Sequence, residues 1–354
     1  MIIYYLLFII PALIFIGKPN IITKKHADYL FFSIIAIFLI GYRSGTGGDW
    51  GNYFHQFKKI GENTLFQYIF DNTKNSHEFA FDTLFWLGYN YADFYLVMTV
   101  FAAFSFYALY YFAKNQPYFW LTVAIAVPFF VVIMVMGYTR QGLALSVLMI
   151  AIGYLAKGKP IYYLLGVIIA TGFHNSAIVF SVLAIPSFFK MNKYRSIGLM
   201  IIFPAALIGS SFVEEYFSTK VQNYIVEAGY KGSYMSSSGA FIRILINAAA
   251  GSAFFLYRKQ WQQIFPHDYY IWQLLSIATL ASIPLMFLAS STSADRMALY
   301  LLMVQMAIWP RVIYMSKPQN RQLLMFGSIA AYGSILAIWL NYADNVWMWR
   351  KRSF

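Results

Sequence analysis

Apolar runs long enough to enter a bilayer recur along almost the whole of this 354-residue chain. That feature constrains the fold more than any other. A bilayer span needs about 20 apolar residues, somewhat fewer where the membrane thins. Runs broken by Lys, Arg, Pro or Asn clusters lie at 2–16, 28–42, 92–113, 118–136, 140–156, 161–173, 175–189, 195–212, 240–257, 269–289, 296–315 and 322–341. The stretch 161–189 reads either as two spans around His174 or as one kinked helix. The expected fold is an all-α polytopic membrane protein, a single transmembrane domain over 1–354 with about twelve transmembrane helices (about 10–13). Two polar stretches interrupt it, 43–91 and 213–239. The first is expected to carry an amphipathic helix lying on the membrane at about 76–90. The amino-terminal run lacks the basic start and small-residue cleavage site of a signal peptide. Charged residues make up only 11% of the chain, against roughly 25% in soluble domains, so water-soluble classes are excluded. The absence of cysteine excludes disulfides, thiol nucleophiles and Cys-ligated metals.

The formal net charge of +13 would suggest a nucleic-acid partner on a soluble protein. Its distribution argues otherwise. The short loops 17–27, 114–117, 157–160, 190–195, 258–268 and 311–321 hold 14 basic residues against two acids, Asp268 within them and Asp28 immediately after the first. The rest of the chain holds 12 basic and 11 acidic residues. By the positive-inside rule the first set is cytoplasmic. Both termini and both long loops then face outward, the tail Arg350-Lys351-Arg352 being the one cluster against the rule. The excess charge orients the protein, and no nucleic-acid partner is expected.

Four basic residues stand at outer span ends, and all are arginine: Arg43, Arg140, Arg243 and Arg296. Guanidinium is a planar fork suited to bidentate phosphate recognition, whereas Lys is a strongly hydrated point charge. Each Arg can simply snorkel to the headgroups. A set of them at one depth reads instead as a site for a lipid bearing phosphate or diphosphate. The segment Arg43-Ser44-Gly45-Thr46-Gly47-Gly48-Asp49-Trp50-Gly51-Asn52-Tyr53 leaves the second span with four glycines, whose backbone can approach a ligand closely. Asp49 there reads as a general base, a sugar-hydroxyl acceptor, a partner of Arg43 or a helix cap. His174, in Thr171-Gly172-Phe173-His174-Asn175-Ser176-Ala177, lies in an otherwise uncharged stretch from Ile161 to Phe189. It reads as a satisfied interior histidine or as a proton acceptor for a hydroxyl nucleophile. His77, Glu78 and Asp82 read as the solvated side of the 76–90 helix. Asp295 reads as a local salt-bridge partner of Arg296 or a helix cap, and Tyr234 in loop 230–239 as a sugar platform or interfacial anchor. No ligand spacing supports a metal. No carboxylate is placed in mid-span, which disfavours ion-driven transport.

Arg43…Gly45-Thr46…Asp49…Asn52-Tyr53 resembles the early Arg-x-x-Gly-Thr-Asp-x-x-x-Tyr type signature of EpsG-like proteins, loosened here by Gly47-Gly48. Tyr138-Thr139-Arg140-Gln141-Gly142-Leu143-Ala144 resembles that group's Arg-Gln-x-[Ile/Leu]-Ala, and His174-Asn175-Ser176-Ala177 its His-x-Ser-Ala. Asp295-Arg296 with Tyr300 resembles its late Arg…Tyr element. The four elements arise in family order. The EpsG-like group is similar to Wzy-type O-antigen and capsule polymerases. The resemblance implies a multi-pass enzyme of the bacterial inner membrane, a bundle like the large membrane glycosyltransferases (GT-C-like), with its active site facing the periplasm. Its substrate would be an undecaprenyl-diphosphate-linked oligosaccharide in the lipid bilayer, with no cofactor, no metal, and a possible chain-length regulator protein as partner. The expected chemistry moves a growing glycan onto a sugar hydroxyl of the next lipid-linked repeat. Arg43, Arg140, Arg243 and Arg296 would hold the diphosphate, His174 or Asp49 would take the proton, and Asn52, Tyr53, Tyr234 and Asp295 would contact sugar or loop. An O-antigen ligase, a polysaccharide flippase or transporter, and a membrane O-acyltransferase are the rival readings. Neither internal symmetry nor midplane polar residues favour the transporter.

Overall fold

The computed structural model describes residues 1–17, 27–61, 64–69, 78–188, 239–288, 291–343 and 346–350, and every regular element among them is helical. The expected span 195–212, most of the loop 213–239 with Tyr234, and His77 lie outside the described residues. Each other apolar run forms helix. In chain order these are α1 (Ile2–Gly17), α2 (Ala27–Gly41), α3 (Trp50–Gly61), α4 (Leu65–Ile69), α5 (Phe79–Tyr91), α6 (Phe94–Ala113), α7 (Phe119–Val135), α8 (Thr139–Ala156) and α9 (Pro160–Phe173). A 3₁₀ stretch, Asn175–Ala184, leads to α10 (Ile185–Phe188). Beyond the undescribed segment come α11 (Ala240–Leu256), α12 (Arg258–Ile264), α13 (Tyr269–Leu288), α14 (Ser291–Tyr300), α15 (Leu302–Met315), α16 (Pro318–Tyr342) and α17 (Trp347–Arg350).

Among the described residues, length and composition make four helical segments fit to cross a bilayer: Phe94–Ala113, Thr139–Ala156, Asp295–Met315 and Pro318–Tyr342. A fifth is added if α11 and α12, bent by 71°, count as one broken span. Five further apolar helices of 10–17 residues accompany them. The chain is thus a polytopic membrane protein. The number of crossings rests on how the short helices are used, because Pro, Gly and local changes of helix type cut several apolar runs below full span length.

Packing divides the chain into two compact units. The first comprises Met1–Ile150, Ile168–Asn175 and Lys317–Phe354; the second comprises Ala151–Val167 and Ser176–Ser316. In the first, α2 lies along α6, while α1 lies on α7 and α16. Within the polar stretch after α2, residues 50–61, 65–69 and 79–91 form helix. In α3, Tyr53, Phe57 and Ile60 recur at i, i+4 and i+7 and are buried, while Lys58 and Lys59 face outward, the pattern of an amphipathic surface helix. Phe57 meets Phe85 edge-on at 5.5 Å, and Phe81 meets Phe101 at 5.5 Å, so aromatic faces join α3, α5 and α6.

The helix expected at 76–90 forms as α5, but its polar residues are not solvated. Glu78 is 4% and Asp82 3% exposed. The amphipathic reading therefore belongs to α3, and α5 carries a buried polar face. The reason is that the polar side of α5 packs toward α3 and α6, where its carboxylates find protein partners, while Phe79, Leu84 and Leu87 stand on the exposed side.

Pro128 shapes α7. Lacking an N–H and crowding the turn before it, it sits at the start of a wide π-helical stretch, Val127–Val135. Such stretches concentrate at functional positions. This one ends at Met136, whose carbonyl enters the site described next.

In the second unit α11 packs against α13, α14 and α15. Arg243, Ala240, Ile244, Asn247, Ala248 and Gly251 form its buried side.

Candidate functional site

Two polar clusters, one in each unit, contain most of the chemistry-bearing residues. In the first unit the glycine-rich segment after α2 closes around Arg43, which is 1% exposed. Its three guanidinium nitrogens donate to the carbonyls of Thr46 (3.1 Å), Ile40 (2.5 Å) and Met136 (2.8 Å), and its own carbonyl accepts from Trp50 Nε1 at 3.1 Å. Arg43 thus ties the end of α2, the loop and the end of the π stretch together. Burial lowers its pKa to about 10, against the raising influence of Tyr53 and Tyr4, so it stays charged at neutral pH. Gly47 completes the turn. Its φ is +110°, and an added Cβ would stand 2.4 Å from the Met136 carbonyl oxygen. Only glycine meets both conditions.

Glu78 is the centre of the second part of this site. It precedes α5 without capping it, and its carboxylate reaches out to two other elements. Oε2 accepts from Arg140 Nη1 at 2.7 Å, and Oε1 lies 2.6 Å from His174 Nδ1. Arg140 starts α8 and His174 follows α9, so one carboxylate joins three helix ends. Gly172 makes this approach possible: a Cβ there would lie 2.6 Å from the Phe79 ring and 2.9 Å from Ala80. Burial raises the Glu78 pKa, but the hydrogen bond and charge of His174, with those of Arg140, outweigh it and hold the carboxyl below its ordinary 4.5. An ionised Glu78 orients the imidazole with Nδ1–H toward Oε1, which makes Nε2 its basic nitrogen.

Arg140 also bonds the Tyr53 hydroxyl and lies 5.7 Å from the Tyr53 ring centre and 5.9 Å from that of Phe81. Burial and the charge of Asp49 raise the Tyr53 pKa, opposed by Arg140. One turn beyond Glu78, Asp82 Oδ1 accepts from Gln56 Nε2 at 3.1 Å, which ties α3 to α5.

In the second unit Arg243 and Asp295 form a two-pronged ion pair, Nε to Oδ1 and Nη2 to Oδ2, the latter at 2.5 Å; both side chains are 7% exposed. One turn along α11, Asn247 donates to the Ala298 carbonyl at 2.7 Å and accepts from Gln305 at 2.6 Å. Ser176 donates to the buried Tyr300 hydroxyl at 3.3 Å, which links the Ser of His174-Asn175-Ser176-Ala177 to the late Tyr.

These placements revise several expectations. Asp295 pairs with Arg243, because the sequence neighbour Arg296 points outward from α14 while Asp295 points in. Arg43 and Arg243 turn their forks inward, whereas Arg140 keeps 34% of its side chain exposed and Arg296 is exposed. Tyr53 is 2% exposed and serves Arg140 instead of offering an open ring to a sugar; Asn52 beside it is exposed. Asp49 is partly exposed immediately ahead of α3. Glu78, Asp82 and Asp295 are buried carboxylates, and none of them lies in the middle of a candidate span. Glu78 was missed as a site residue because alternation with Phe79 and Phe81 imitates a wet helix face. The one signal for it in the sequence is a carboxylate next to a dense aromatic run.

The EpsG family model matches residues 26–349, a range that contains both clusters. No curated protein and no solved structure matches the chain.

Proposed function

Because the chain belongs to the EpsG family, we propose that it is a polysaccharide polymerase that transfers a growing glycan from a lipid diphosphate to a sugar hydroxyl of the next lipid-linked repeat. The supporting observation is the carboxylate that holds an imidazole and a guanidinium side by side, Glu78 with His174 and Arg140. Glycosyl transfer from a diphosphate needs a group that removes the hydroxyl proton and a cation that meets the charge growing on the leaving group.

We assign the first task to His174. Nε2 takes the proton of the acceptor hydroxyl, the oxygen attacks the anomeric carbon, and the bond from that carbon to the diphosphate oxygen breaks. Attack opposite the leaving group inverts the linkage. Glu78 is a positioning residue: it keeps the imidazole in one tautomer and stabilises the imidazolium that forms. We assign the second task to Arg140. A preorganised donor of this kind contributes on the order of 3–4 kcal/mol. Arg43 shapes the loop, and Arg243 with Asp295 secures α11 to α14. The undecaprenyl carrier, the inner-membrane location and the periplasmic face of the site belong to this proposal too.

The test is purified full-length protein mixed with a lipid-linked repeat, its products resolved on a gel. Wild type should yield a ladder. Arg140→Ala and His174→Ala should lose it while remaining folded, and Asp49→Ala should keep it. A normal ladder from both of the first two variants would remove the assignment.

A further inference from the structure

Where the π stretch of α7 ends, two amides pass over one carbonyl. An α-helix would aim the Met136 N–H at the Val132 carbonyl, and a π-helix would aim the Gly137 N–H there. Here Met136 donates to Val131 and Ile133, and Gly137 donates to Ile133. Val132 is fully buried, so its carbonyl needs a partner. The Trp349 indole supplies one: Nε1 donates to the Val132 carbonyl at 3.2 Å from 217 positions along the chain.

Trp349 lies in α17, which is only four residues long and too short to hold its place by its own hydrogen bonds. Contacts around the glycine-rich loop hold it instead. The Gly47 N–H donates to the Met348 carbonyl at 3.1 Å, and the Tyr4 hydroxyl to the Trp349 carbonyl at 2.9 Å. Trp339 meets the Trp349 ring edge-on at 4.9 Å. The ring, 5% exposed, lies against Gly137, where an added Cβ would stand 2.8 Å from it. Gly137 is the middle one of the three residues, 136–138, that separate the π stretch from α8. Two side chains hold that turn: Arg43 takes the Met136 carbonyl at 2.8 Å, and Trp349 covers Gly137. Arg140 is the second residue of α8, so the position of the turn decides the position of its guanidinium. We propose that Trp349 is a positioning residue for Arg140. Its indole N–H fixes the end of the π stretch, its ring fixes the turn, and the start of α8 follows. The consequence for turnover rests on the polymerase reading; the brace on the turn does not.

The experiment uses the full chain in nanodiscs. Trp349→Phe keeps a ring over Gly137 and removes the N–H donor. Amide hydrogen exchange in peptides covering 131–142 should rise at least about fivefold in this variant, with exchange in α2 and α6 unchanged. Ladder formation should lose about tenfold in kcat/KM, since small displacements of a positioned group are costly in rate. In an Arg140→Lys background the same substitution should cost less than about twofold, because a flexible ammonium does not depend on a fixed fork. A merely structural role would penalise both backgrounds alike, so equal losses would overturn the proposal. Tyr4→Phe, which removes the bond to the Trp349 carbonyl, should give the same exchange pattern and carries the test if Trp349→Phe does not fold. Faster exchange without any ladder from wild type would sink the polymerase reading and leave the brace standing. A wild-type ladder with exchange unchanged in both variants would do the reverse.

Discussion

Glu78 places one carboxylate oxygen on Arg140 and the other on His174. Replacing it by Ala leaves both partners without their acceptor. We expect a loss of about 1–3 kcal/mol by thermal unfolding in detergent, limited because Arg140 keeps contact with solvent. Glu78→Gln preserves the shape but not the charge, and its turnover should fall roughly 10²-fold or more, with the pH–rate profile shifted, an effect that a purely structural role would not produce. The acid response has a definite sign. A carboxyl held below 4.5 in the folded state stabilises fully above about pH 4.5, and that stabilisation is lost as pH falls through the lower folded-state value. Wild type should therefore lose stability more steeply than Glu78→Gln below about pH 4.5; superimposable acid profiles would argue against the pairing. Arg243 and Asp295 present a different case, a buried pair with two hydrogen bonds. Arg243→Ala should cost about 3–5 kcal/mol by removing the guanidinium that compensates the buried Asp295 carboxylate, and adding Asp295→Ala should recover part of that loss. If the double variant melts at the sum of the single losses, the two residues are not coupled.

Helix ends, more than helix faces, build the site. Arg140 opens α8, His174 follows α9 and Glu78 precedes α5, so small backbone changes at these ends should matter more than changes within the spans. Gly47→Ala forces a side chain into a left-handed turn and against the Met136 carbonyl. A cost of about 1–3 kcal/mol and loss of the ladder are expected; retained activity would show that the Arg43 loop is not needed in this form. Gly172→Val should separate α5 from the end of α9 and mimic Glu78→Ala in turnover without touching a charged group. Hydropathy located these elements well, since every described apolar run became helix. It misjudged α3 and α5, because amphipathicity reports which residues avoid water only when one side of a helix is wet. The π stretch of α7 was legible only as Pro128 inside an apolar run, which forbids a regular helix but does not say which irregular one replaces it.

For the molecule as a whole, the distribution of Lys and Arg predicts orientation, and the absence of cysteine makes it simple to test. Asn52→Cys should react with an impermeant maleimide in intact spheroplasts, whereas Lys114→Cys and Lys159→Cys should react only after permeabilisation. The opposite pattern would invert the topology and with it the placement of the site. Hydropathy and charge act on each residue through its own interaction with water, lipid or the membrane potential, so they can be summed along the chain. They were sufficient for a helical membrane protein, and four short motifs in order were sufficient for its family. Pairing is a different kind of information. Tyr4 reaches Trp349 across 345 residues, Glu78 reaches Arg140 and His174, and Asp295 passes over adjacent Arg296 for Arg243. Each of these contacts depends on which helix ends meet and which way their side chains point. A buried charge takes whatever partner the fold delivers to it, and only the packed helices settle which partner that is.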